Sequence, residues 1–148
     1  MLCILAVQLS TSSIMNNFTQ LRTIFFALLV GQVGFAAVVY YISGINPEAA
    51  DVPIFSILVP AALFGAAAMA YFLNQQLAVK EVEEKDKEER FALYRRRVIV
   101  RLAMMEGANL LAVVAALMTG KTNFFLFFLI GLLVFVYFQP KEAEIGGL

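Results

Sequence analysis

A chain of 148 residues that is 61% hydrophobic and only 15% charged, with a mean hydropathy of +0.82, is far more apolar than a soluble domain, where charged residues make up about a quarter. Eleven basic residues balance eleven acidic ones, with no histidine and a single cysteine, Cys3. That composition excludes an internal disulfide, the common zinc and haem ligand sets and a nucleic-acid surface, and it defines an all-α integral membrane protein without a cofactor, whose first partner is the lipid bilayer.

The opening "MLCILAVQLSTSSI" is apolar for about seven residues, too few to cross a membrane, and lacks the basic residues that begin a signal peptide. Residues 1–21 therefore form an N-terminal segment. Translation starts at Met1 or at Met15; on the latter reading residues 1–14 are a mis-called extension. Residues 22–148 form a single membrane domain with four apolar runs, near 22–43, 54–73, 98–119 and 123–139. A hydrocarbon core of about 30 Å takes about 20 helical residues, so each run is long enough, or nearly so, to span.

The first connection, "GINPEAADVP" (44–53), combines Gly44, Pro47 and Pro53 with Asn46 and Asp51, residues that end helices and make turns. The next, 74–97, holds seven of the eleven Lys and Arg residues and no Gly or Pro, so the second and third helices are expected to run on beyond the membrane. Acid-before-base pairs four apart, Glu81 with Lys85, Glu83 with Lys87 and Asp86 with Arg90, suit an exposed helix. The last connection, "TGKTN" (119–123), places Gly120 at a helix C-terminus and leaves room only for a tight turn. By the positive-inside rule the basic 74–97 segment is cytoplasmic, which puts both termini there too. Arg22, Arg95, Arg96, Arg97 and Arg101 then read as topology anchors at the lipid headgroups, Arg101 by snorkelling.

Helix contacts in lipid rely on small residues and a few polar bridges. Ala62, Ala66 and Ala70, the adjacent pair Ala61 and Gly65, and "GQVG" (31–34) read as packing faces. The polar candidates are Gln32, Glu106 and Asn109. Glu106 and Asn109 are three apart and are expected to share an inward face; Gln32 lies ten residues after Arg22 and Glu106 nine after Arg97. At 1.5 Å per residue both sit about 13–15 Å from the basic boundary, so the three residues are expected to form one intramembrane cluster.

An acid at that depth is paired, protonated or used. Glu106 is then a structural lock with Gln32 and Asn109, a proton or cation site of a small oligomeric transporter, or the contact for a cationic group on a partner. Catalysis is not indicated, for there is no Ser/His or Cys/His set, metal-ligand cluster or phosphate loop. The expectation is a four-transmembrane-helix bundle, N and C termini cytoplasmic, helices 2 and 3 extended into the cytoplasm. Its role is that of a non-enzymatic accessory or scaffold subunit, the alternative being a transporter using Glu106, with a membrane-protein partner or a homo-oligomer as its assembly.

From about Leu21 to Lys141 the chain resembles a group of small four-span inner-membrane proteins of Bacteroidota to which no activity is assigned. The shared pieces are "LRTIFFALLVGQ" (21–32), "YRRRVIVRLAMMEGANLLAVVAALMTGKTNFFLF" (94–127) and "QPKE" (139–142). The resemblance implies a multi-pass protein of a bacterial inner membrane.

Overall fold

The computed structural model describes residues 2–45, 52–83 and 86–141, and all of its regular structure is α-helix: α1 (Leu2–Ile45), α2 (Phe55–Glu83), α3 (Lys87–Thr119) and α4 (Asn123–Tyr137). Three of these hold stretches long and apolar enough to cross a membrane, Phe18–Ile42, Phe55–Lys80 and Glu88–Thr119. The fourth has 15 residues, about 22 Å at 1.5 Å per residue. The N-terminal segment is no separate element, because α1 runs through it without a break.

Two apolar clusters show how the helices run. Leu21 and Phe25 of α1, Leu63 and Ala70 of α2, Phe91 to Ala108 of α3 and Phe135 and Phe138 of α4 meet at one end. Ala36 and Val39, Val59, Ala112 to Ala116, and Phe124 and Phe128 meet at the other. Neighbours in sequence are thus antiparallel, and α1 and α3 are parallel. Rings tie α1 to α4 at both levels: Phe25 stacks on Phe135 at 5.2 Å, and Tyr40 meets Phe125 edge-on at 5.5 Å.

The helix at the centre is α3, which packs extensively against all three others, whereas α1 packs extensively only on α3. Half of α3's apolar window is buried, against 22% for α1 and 17% for α2. On α1 the buried residues Phe18, Leu21, Phe25, Gln32, Ala36 and Val39 keep to steps of three and four or their sum, the narrow seam of a helix that packs extensively on one neighbour. The opposite faces of α1, α2 and α4 expose Val30, Ile57, Phe64, Phe72 and Leu133, a surface that water would penalise and hydrocarbon accepts.

Helix boundaries follow local chemistry. Asp86 caps α3, its carboxylate accepting from the Glu88 backbone N–H at 3.2 Å. The pair Glu83 and Lys87 therefore straddles a break between helices, and Asp86 is a cap rather than a mid-helix acid; Lys85 lies outside the described residues. Gly120 closes α3 in the left-handed conformation at φ 63°, its N–H bonded to the Ala116 carbonyl, which is the geometry the expected turn needs. Helix α2 remains continuous through Pro60. Of the 44–53 connection, residues 46–51 lie outside the described residues.

Candidate functional site

A buried polar bridge between α1 and α3 joins Gln32 to Asn109: the Asn109 Nδ2 donates to the Gln32 Oε1 at 2.8 Å, with 1% and 0% of the two residues exposed. Each side chain lies on its helix's apolar seam, so the bundle could form only by burying both, and pairing relieves part of the cost. The Gln32 Nε2 and the Asn109 Oδ1 have no hydrogen-bond partner among the described residues. The Oδ1 is seated against α4, where Gly131 makes room: a Cβ at Gly131 would overlap that oxygen and lie 2.8 Å from Leu63 Cδ1. Gly131 is the one glycine in "NFFLFFLIGLLVFVY", the signal in the sequence that marks where α4 leaves room for the Asn109 amide.

Glu106 is not part of that bridge. It is half-buried, makes no hydrogen bond or ion pair among the described residues, and lies at the edge of α3's outward face with Ala103 and Gly107, both exposed. The expected three-residue cluster is therefore a buried pair, Gln32 with Asn109, and a separate acid that faces out of the bundle.

The arginines divide in the same way. Arg22, Arg95 and Arg96 are exposed. Arg97 and Arg101 are 8% and 3% exposed and turn into the bundle instead of outward. Arg101 Nη1 donates to Asn74 Oδ1 at 3.1 Å, and its guanidinium lies 5.7 Å from the centre of the Phe138 ring; that of Arg97 lies 5.2 Å from the Tyr94 ring. Arg101 thereby ties α3 to α2 and to the end of α4, and Asn74 and Phe138 are partners that sequence reasoning did not single out. Nothing local marks them, because Asn74 follows an apolar run and Phe138 is one phenylalanine among fourteen.

The small-residue faces also separate. Ala66 and Ala70 pack inward, Ala70 fully buried, whereas Ala61, Gly65, Gly31 and Gly34 lie away from the core, and a Cβ at any of these three glycines would meet nothing within 4 Å. Among the described residues no three His, Cys, Asp or Glu side chains stand together as metal ligands. Compared with known proteins the chain finds no counterpart: no family model, no curated protein and no solved structure matches it. What is established is the class, an all-helical protein with three helices able to span a membrane.

Proposed function

We propose that the chain is a four-span protein of a bacterial inner membrane, both termini cytoplasmic, that serves as a non-enzymatic accessory or scaffold subunit of a larger membrane assembly. The observation that carries this reading is Glu106: an acid near the middle of an apolar helix, without an internal partner among the described residues, on the outside of its own bundle. Intramembrane acids ordinarily face a bundle interior or a cavity, so an outward one is expected to meet another protein.

The four-span topology draws support from α4's placement. It lies along α3 from the level of Ala116, near Phe124, to that of Arg101, against Phe138, and so covers roughly the depth that α3 crosses. Orientation rests on the basic 74–97 segment, and the bacterial inner membrane on the resemblance to the small four-span proteins of Bacteroidota. The competing reading, an oligomeric proton- or ion-coupled transporter using Glu106, fits the outward acid only if several copies surround a shared pathway.

Native extraction tests the two. The protein, tagged at its own locus and released in a mild detergent, is expected in a stoichiometric complex with a different membrane protein. A homo-oligomer alone, with proton-driven flux in proteoliposomes that disappears in Glu106→Gln, overturns the accessory reading in favour of transport.

A further inference from the structure

We propose that the outward face of α3 around Glu106 receives a transmembrane helix of a different protein, one that carries a lysine or arginine near its own mid-span. This rests on the accessory-subunit reading and names the partner's chemistry.

Three observations lead there. Glu106 lies nine residues, about 13 Å, beyond Arg97 and thirteen residues, about 20 Å, before Thr119, so a membrane spanned by α3 holds it deep in the hydrocarbon. Its carboxyl group lies at the bundle surface and is unpartnered among the described residues, so bare lipid would leave it unsatisfied. The backbone beside it is open: Ala103 and Gly107 are exposed, and a Cβ at Gly107 would meet nothing within 4 Å, so a neighbouring helix can approach closely enough for a charge-assisted hydrogen bond.

Charge then selects the occupant. The four apolar runs contain only Arg22 and Arg101 as basic residues, both toward the basic end, and Arg101 is turned inward onto Asn74 and Phe138. Another copy lying parallel would bring no cation to the level of Glu106, only another Glu106. The complementary group must come from a different chain, and a single Lys or Arg on an apolar helix has the same need for a buried counter-charge.

The test uses the full chain in its native membrane, with a photo-cross-linking residue in place of Ala103 or, as a control, of Leu133 on the exposed face of α4. Illumination at position 103 is expected to give one adduct with a membrane protein whose cross-linked residue lies within one helical turn of a Lys or Arg. The yield is expected to fall at least about tenfold in Glu106→Lys and to return when that partner residue is reversed to Glu. Should Glu106→Lys fail to accumulate, Glu106→Gln, which keeps the shape and loses the charge, carries the comparison, again with a reduced yield. An adduct with another copy of this chain, an adduct far from any basic residue, or a yield unchanged in Glu106→Gln overturns the proposal. A hetero-complex that survives extraction without an adduct from position 103 overturns this proposal alone, whereas a chain extracted without any other protein overturns the accessory reading.

Discussion

Asn109 and Glu106 stand one helical turn apart on α3, yet Asn109 is wholly buried against α1 and α4 while Glu106 faces out of the bundle. Three residues advance about 300°, so the two side chains point about 60° apart. Even on α3, which packs on three helices and is the most covered of the four, that rotation is enough to cross the edge of the covered surface. Residues that share a face in a helical projection share an environment only if the neighbouring helix is wide enough to cover them both. Arg97 and Arg101 teach the complementary lesson: side chains that by sequence would reach for headgroups are held inside, where Tyr94, Asn74 and Phe138 offer partners.

Substitutions that break the inner arrangement should cost more than those on the outer one, and unfolding free energy in bicelles reads the difference. The largest loss is expected from Gly131→Val, which drives side-chain atoms into Asn109 and Leu63; overpacking of that kind costs about 3 kcal/mol. Arg101→Ala follows at about 2 kcal/mol, from the hydrogen bond to Asn74 and the contact with Phe138, and a loss below about 0.5 kcal/mol would show that these contacts hold nothing together. Asn109→Ala is expected to cost about 1 kcal/mol, and a double-mutant cycle with Gln32→Ala should return a coupling of about 0.6–1.7 kcal/mol, the range for one hydrogen bond within a membrane. The smallest effect belongs to Glu106→Gln, below about 0.5 kcal/mol in the isolated protein, because no contact among the described residues is lost. A loss of about 1 kcal/mol or more there would mean that Glu106 locks the bundle after all and would remove the contrast with Asn109.

Much of the architecture was legible from composition and punctuation. Three helices long and apolar enough to cross a membrane, the break into α4 at Gly120 and the continuation of α2 and α3 past their apolar stretches all follow from rules a single strand of sequence obeys: apolar length, helix-ending residues and capping. Gln32 and Asn109 were legible only as members of one group with Glu106, because polar groups at matching depth in lipid have few alternatives, and which two of the three pair was not legible. The N-terminal segment escaped such reading, since nothing in "MLCILAVQLSTSSI" distinguishes the start of a long helix from a separate piece.

What the sequence by itself determined is therefore the class of protein, the set of helices and the depth of each polar group along its helix. All three depend on distance along one chain, which the α-helix converts directly into distance in space. Only the tertiary structure decided which way each group faces. The rotation of α3 between its neighbours put Asn109 inside and Glu106 outside; α2's approach gave Arg101 its partner in Asn74; and the contact at Gly131 chose which glycine matters while Gly31, Gly34, Gly65 and Gly107 were left outside the core. Facing is set by the packing of all four helices together, in lipid chiefly by van der Waals fit and a few hydrogen bonds, and no short stretch of sequence encodes that sum.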